Sequence, residues 1–370
     1  MMKIVVSGYV GKKITGIGRN LISLLNNAKG GTEFVLYANE DMKDVFKFDN
    51  ANVTVKTYSV SKNSSVGNLL WTTFVFPFKV LSEKADKALI PNFTLLLFKF
   101  KPTYVIMHDL IEYNVPNKFS KLKMFYRTKL ANPITSRLAN RIITVSNNSK
   151  KDLMKFLGVK ENKIAVIYNG VDQEKFKPVS KDICDRVFES RKWPREYILY
   201  AGTIDHPGKN AMSVIQVFER LKESGSYNGQ LILAGMPGAG FEVVEEYVNQ
   251  SKYKDEIIFG GFVTDEELVV LYTCCDVFCF VSLYEGFGIP PLESLACGAK
   301  VVVSNTSALP EVVGDLGWKV NPKSLDAIEN AVKNALDTPT DEDYKKSVAA
   351  HLKEYEWCNL GKCFEKTICM

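Results

Sequence analysis

The chain has 370 residues, 46% apolar and 24% charged, with 24 glycines and 14 prolines. This composition excludes collagen-like, coiled-coil and disordered classes, and at about 150 residues per domain the length argues for two to three domains with a site between them. The net charge of +5 conceals a division: residues 1–178 hold 28 Lys+Arg against 13 Asp+Glu and residues 179–370 hold 19 against 29, so the halves stand at +15 and −10.

From Met1 the chain runs through Lys3 straight into IVVSG. The charged, apolar and cleavage regions of an export signal are missing there, so a cytoplasmic location is expected. Short Val- and Ile-rich runs alternate with amphipathic stretches, the pattern of parallel βαβ units. Strands are predicted over 3–7, 33–38, 53–58, 88–91, 104–108, 141–145 and 164–167, with helices over 19–27, 119–138 and 148–157, making one doubly wound α/β domain. The stretch 66–81, rich in Leu, Phe and Trp, reads as a buried core helix or, alternatively, as an interfacial one. Its most apolar part, Leu69 to Phe78, stops at Lys79 and is too short to span a bilayer. Lys118, Lys121, Lys123, Arg127 and Lys129 follow helical periodicity without the stacked aromatics or zinc-finger spacing of nucleic-acid modules, so nucleic acid is not an expected partner.

After NGVD a polar, charged stretch over 173–195 reads as a connection, and the pattern then restarts. Strands are predicted over 197–201, 230–234, 256–259, 277–281, 300–303 and 318–320, with helices over 210–224, 241–250, 266–274, 291–296 and 324–336. Thr264 and Glu267 have the spacing of a capping box, so the acids there need no catalytic role. The eight cysteines show no CxxC pair or zinc spacing and are expected to be reduced; Cys274, Cys275 and Cys279 read as core.

In open α/β sheets ligands bind beyond the carboxyl ends of strands, so candidate residues should follow strands. In VFCFVSLYEGFGIPPLESLACG a strand leads to Glu285, the turn Gly286, Phe287, Gly288, Ile289, and a helix carrying Glu293. Glycines admit close backbone approach and a helix N-terminus favours an anion, so this segment predicts phosphate binding. Two carboxylates beside it suit the hydroxyls of a nucleotide sugar. A second junction, YILYAGTIDHPGKN, places Gly202, Thr203, Asp205, His206 and Lys209 after a strand. Lys209 is the candidate phosphate cation, or a solvated lysine at a helix start. It is not a P-loop, because no Gly-Lys-Ser/Thr closes the glycine turn. Gly11, Gly16 and Gly18 form a further glycine-rich turn that faces phosphate or is simply a turn, and His108 with Asp109 ends a strand, where ligand contact is expected.

Taken together with TGIGRN, VIMHDL, RIITVSNNSKKDL, VIYNGVD, LILAG and SALPEVVGDLG, and with Glu285 and Glu293 as a Glu-x7-Glu pair, these segments resemble the retaining nucleotide-sugar glycosyltransferases of family 4, or glycosyl transferases group 1. The resemblance covers nearly the whole chain. It implies the GT-B fold, two doubly wound Rossmann-like domains facing across a cleft: residues 1–178 binding acceptor, 179–351 binding donor, and 352–370 crossing back to the first. It further implies that Lys209 neutralises the donor diphosphate, that Gly202, Thr203 and Asn169 belong to the donor-binding residues, that Glu285 and the 286–289 turn hold the sugar, and that Glu293 holds the ribose. By the same resemblance Gly16 and Gly18 close on the diphosphate, His108 lies beside the reacting sugar as a catalytic residue with Lys209 and Glu285, and Arg19 and Asp109 face the acceptor. Thr203 stands where many members have an arginine, so neutralisation leans on Lys209 and backbone N–H groups, with His206 or Arg19 as further candidates.

The implied reaction moves a hexose or deoxyhexose to a glycan acceptor, lipid-linked at the inner leaflet, in bacterial surface polysaccharide synthesis. It proceeds with retention and without metal or cofactor, the nucleotide sugar being substrate. The +15 half fits peripheral contact with an anionic membrane. A nucleotide-sugar 2-epimerase and an impaired GT-B subunit that binds a partner are the alternatives.

Overall fold

The computed structural model describes residues 1–11, 16–61, 64–92, 94–115 and 118–370. Thr15 of TGIGRN lies outside the described residues. The chain divides into two compact units, Met1–Gly170 with Tyr355–Met370, and Val171–Glu354. The boundary expected after residue 178 therefore falls at Gly170, and the final segment rejoins the first unit from Tyr355 rather than from 352.

The first unit is built on a seven-stranded parallel sheet of β1 (Lys3–Ser7), β2 (Glu33–Asn39), β3 (Val53–Tyr58), β4 (Lys87–Ile90), β5 (Thr103–Ile106), β6 (Arg141–Thr144) and β7 (Ile164–Val166), in the order β3-β2-β1-β4-β5-β6-β7. Alternation along the strands divides the core in two. Ile4, Val6, Phe34 and Leu36 face the side covered by helix Gly16–Asn27 and the C-terminal helix Trp357–Cys369, whereas Val5, Val35 and Tyr37 face the side covered by Trp71, Phe76 and Val80. The C-terminal helix contributes Leu360, Phe364 and Ile368 to the first of these cores. At about 1.5–3 kcal/mol for each fully buried side chain, it is a structural part of the unit. Gly361 makes its approach possible: a Cβ there would sit 2.4 Å from the Asn27 backbone oxygen. Glu365 then accepts from the N–H groups of Gly30 and Thr32 at 2.5 and 3.0 Å.

Two predicted helices are interrupted. The stretch over 119–138 comprises Lys121–Phe125, a wide turn Tyr126–Ala131 and Asn132–Leu138, and the stretch over 66–81 has the same wide turn at Trp71–Val75. Each wide turn directly precedes a helix with proline in its first turn, Pro133 and Pro77. Proline lacks an N–H and crowds the carbonyl four residues back, and a widened turn relieves both.

The second unit has a six-stranded parallel sheet of β8 (Tyr197–Ala201), β9 (Gln230–Ala234), β10 (Ile257–Gly261), β11 (Val277–Phe280), β12 (Val301–Ser304) and β13 (Trp318–Val320), ordered β10-β9-β8-β11-β12-β13. The central strands β8, β11 and β12 are buried throughout, as strands covered on both faces must be. The capping box at Thr264 and Glu267 forms with both of its bonds. The stretch 173–195, expected as a connection, contains helix Lys181–Arg191, which buries only Cys184 and Phe188 and so gives a faint apolar signal. Cys279 is buried and Cys274 and Cys275 are half-buried, and none of the eight cysteines is in a disulfide.

Candidate active site

Each sheet reverses its strand order once, between β1 and β4 in the first unit and between β8 and β11 in the second. Crevices at such reversals are where loops diverge and ligands enter. In the second unit the loops after β8 and β11, with the helix Ile289–Ala296 that the second loop enters, carry nine of the predicted residues: Gly202, Thr203, Lys209, Glu285, Gly286, Phe287, Gly288, Ile289 and Glu293.

The loop after β8 is pinned by its own backbone and by Tyr200, whose hydroxyl donates to the Thr203 carbonyl at 2.9 Å. Ile204 N–H donates to Met236 O at 3.0 Å and Gly238 N–H to Ile204 O at 2.8 Å, which fixes the loop against the one after β9. Gly235 permits this, because a Cβ there would lie 1.9 Å from Gly202 O. Asp205 accepts from the Lys209 N–H and so presents that lysine at the loop's end. Lys209 Nζ donates to Glu285 Oε1 at 2.6 Å and lies 5.6 Å from the centroid of the Phe280 ring. The two side chains are 29% and 14% exposed, sheltered enough for strong electrostatics yet reachable by a ligand.

Glu285 is held from the loop after β12: its N–H donates to Ser307 Oγ at 3.1 Å. Gly288, at φ +112°, turns the chain into helix Ile289–Ala296, which has no side-chain cap and no acid in its first turn. That end is an electropositive, uncapped N-terminus beside Lys209 and Glu285. Glu293 is buried one turn into the helix. The arrangement supplies one cation, one helix terminus and two carboxylates, a donor set suited to a diphosphate joined to polyhydroxylated groups.

The remaining predicted residues lie in the first unit. Gly16, Gly18 and Arg19 open helix Gly16–Asn27, with Gly18 buried and Arg19 exposed. Asn169 is buried and accepts from Asn20 Nδ2 at 2.7 Å, a structural bond at the helix start. His108 falls two residues past β5 and is buried. Burial pushes its pKa down to about 4 against a weaker upward pull from a hydrogen bond to the Pro91 backbone. Its Nε2 has no hydrogen-bond partner among the described residues. A neutral imidazole with one unmet ring nitrogen is ready to bond a ligand hydroxyl. Asp109 accepts from the Ile111 N–H at 3.1 Å, closing a local turn. In the second unit His206 has its backbone and Cβ close against Gly240 and its Nδ1 buried without a hydrogen-bond partner among the described residues.

Two family models match the chain, glycosyl transferases group 1 over residues 185–352 and glycosyltransferase family 4 over residues 28–175. An O-antigen chain mannosyltransferase B of Escherichia coli is 30% identical over 284 residues, covering 75% of this chain and 72% of that protein. The chain belongs to the group 1 glycosyltransferases. A serotype-specific mannosyltransferase, WbdA, of Escherichia coli is 28% identical over 70% of this glycosyltransferase, which spans only 32% of that longer protein. Anabaena HepE, solved with UDP and glucose, superposes with a TM-score of 0.74 at 18% identity, covering 100% of both chains, a likeness of fold of the GT-B type.

Three residues that hold the candidate site of this glycosyltransferase together had no assigned role in the sequence reading. Asn210, at φ +57°, donates Nδ2 to Val281 O at 3.0 Å and Pro322 O at 2.9 Å, locking the β8 loop to the ends of β11 and β13. Ser307, also at positive φ, orients Glu285, and Asp205 orients Lys209. The signal for Asn210 was present, since asparagine after Gly-Lys at a helix start favours the left-handed region.

Proposed function

We propose that this glycosyltransferase moves a hexosyl or deoxyhexosyl group from a nucleoside diphosphate sugar to a glycan acceptor that is lipid-linked, in bacterial surface polysaccharide synthesis, with retained anomeric configuration and without metal. The observation that carries this reading is the Lys209–Glu285 pair, 2.6 Å apart at the strand-order reversal and beside an uncapped helix N-terminus. In this reading Lys209 leaves Glu285 for the donor diphosphate, Glu285 takes up sugar hydroxyls, Glu293 serves the ribose, and His108 Nε2 meets a hydroxyl of the transferred sugar. The mannosyltransferases similar to this chain make mannosyl the first sugar to test.

The bond from the anomeric carbon to the diphosphate oxygen breaks with its electron pair going to the diphosphate. The acceptor oxygen forms its bond on the same face, and its proton passes to the departing phosphate. Lys209 and the helix N-terminus are placed to stabilise the charge that develops on the diphosphate, a contribution that is often the largest in such reactions.

A panel of UDP-, GDP- and dTDP-sugars, screened by thermal shift, tests the reading. At a concentration of about 100 times its dissociation constant, the correct donor adds about 2.7 kcal/mol of stability, and Lys209→Ala and Glu285→Ala abolish the shift. Nucleoside diphosphate release that needs acceptor separates transfer from epimerisation. Absence of any stabilising nucleotide sugar would falsify the assignment.

A further inference from the structure

Two cysteines far apart in sequence meet in the second unit. Cys184 lies on helix Lys181–Arg191 and Cys274 ends helix Asp265–Cys274, 90 residues on, and their sulfurs are 2.9 Å apart. A disulfide holds its sulfurs at about 2.05 Å, so less than about 1 Å of movement separates this contact from a covalent bond. Cys184 is buried, whereas Cys274 is half-buried and is the one of the two that a small reagent meets first. Cys275, its neighbour in sequence, turns elsewhere, its sulfur donating to the Tyr272 carbonyl at 3.5 Å.

The helix that carries Cys184 is lightly held. Of its 11 residues only Cys184 and Phe188 are buried, Phe188 against the Tyr197 ring at 5.8 Å between centroids. Its far end is tied by Arg191, which donates to both carboxylate oxygens of Glu267 at 2.5 and 2.7 Å and to Phe262 O at 3.1 Å. These bonds lie at the surface, where ion pairs contribute little. A segment with so few buried contacts opens locally at a lower free energy than the whole fold. Opening bears on the chemistry, because the thiolate is the attacking species. In the closed state burial, followed by the bond to Cys184, pushes the Cys274 thiol up to about 12. Lifting the helix returns water to both sulfurs, and reclosing brings them back into contact.

We propose that Cys184 and Cys274 are an oxidisable dithiol, a modification site for low-molecular-weight disulfides, independent of the donor assignment. The Cys274 thiolate attacks the reagent disulfide, forming a mixed disulfide and releasing one thiol. The Cys184 thiolate then attacks the Cys274 sulfur and releases the second. Two protein thiols are oxidised, one reagent disulfide is reduced to two thiols, and the two protein protons leave with those thiols. The product closes a loop of 90 residues and fastens helix Lys181–Arg191 against opening, so that oxidation stabilises the unit that carries Lys209 and Glu285.

The test is incubation of the folded full chain with oxidised glutathione, quenching with iodoacetamide and peptide mapping without reductant. The expected product is a pair of peptides joined through Cys184 and Cys274. With Cys358→Ser, Cys363→Ser and Cys369→Ser, which remove the exposed thiols, oxidation should raise the thermal midpoint by at least about 5 °C, and dithiothreitol should reverse the rise. Amide exchange across 181–191 should slow at least about tenfold. Adding Cys184→Ser should stop the reaction at glutathione on Cys274 and remove both effects. Cys274 left free or joined to Cys275, or an oxidised chain whose midpoint and exchange match those of the reduced one, would overturn the proposal. The peptide map of the unsubstituted chain decides the pairing even where a serine variant folds poorly.

Discussion

Asn210 hands the same side-chain nitrogen to Val281 and to Pro322, and its bond to Val281 O at 3.0 Å couples the loop after β8 to the end of β11. The asparagine is buried and sits at φ +57°, so it meets two demands, a left-handed backbone and a buried donor. Asn210→Ala should destabilise the second unit by about 3 kcal/mol, leaving two carbonyls unmet and straining an alanine. Asn210→Gly relieves the backbone but not the carbonyls and should cost about 1 kcal/mol less. Chemical denaturation followed by Trp193 and Trp318 fluorescence reads both, and equal losses would remove the backbone part of the argument.

The Lys209–Glu285 pair predicts a split in kinetics. Lys209→Ala should lower kcat by about 10²–10³, the scale for removing one charge-stabilising donor. Ser307→Ala, which removes the acceptor for the Glu285 N–H together with a local bond to the Thr306 carbonyl, should raise the donor KM and change kcat little. Steady-state rates at varied donor concentration check both, and a kcat loss in Ser307→Ala matching that of Lys209→Ala would contradict the separation.

His108 sets a pH dependence. Its folded pKa is about 4, below the ordinary histidine value of 6.5, so between these values the unfolded chain binds the extra proton. The stability this group contributes is complete above about pH 6.5 and is lost as pH falls toward 4, with a total of about 3 kcal/mol. Denaturation midpoints of wild type and His108→Asn between pH 4.5 and 7.5 should diverge at the top of that range and converge at the bottom. Parallel curves would mean the imidazole is not held neutral.

The docking of the C-terminal helix makes a further prediction. Glu365→Ala removes the acceptor for Gly30 and Thr32, costing about 2–3 kcal/mol for bonds to a charged group. Gly361→Val drives a side chain into Asn27 and should cost about as much. Limited proteolysis should then cut within 355–370 in both variants while leaving the wild type intact.

Both sheets were legible because parallel strands buried on two faces are nearly continuous Val and Ile runs, as in IVV of β1 and VVV of β12. The positions of Glu285, Glu293 and Lys209 were legible for a related reason, since they lie in the strand-to-helix segments that such runs lead into. Helix Lys181–Arg191 was not, because two buried side chains in 11 residues leave no clear period. The stretch 66–81 was ambiguous for a physical reason: it is apolar on both sides, with Trp71 and Phe76 inside and Phe74 and Phe78 outside, and composition alone does not separate the two. The bonds made by Asn210 and Ser307 join residues of distant sequence, and only the fold brings those partners together.

The core shared by helix Gly16–Asn27 and Trp357–Cys369 has a consequence for synthesis. A ribosome finishes β7 long before it reaches Leu360, Phe364 and Ile368, with about 190 residues of the other unit in between. At about 5–20 residues per second, the first unit waits roughly 10–40 s with the apolar flank of Leu21, Leu24 and Leu25 open. The second unit, contiguous in sequence, can complete its fold earlier although it begins later. Helix Trp357–Cys369, made after the whole of the second unit, therefore closes the first unit begun, and until then that flank is a natural place for a chaperone to hold.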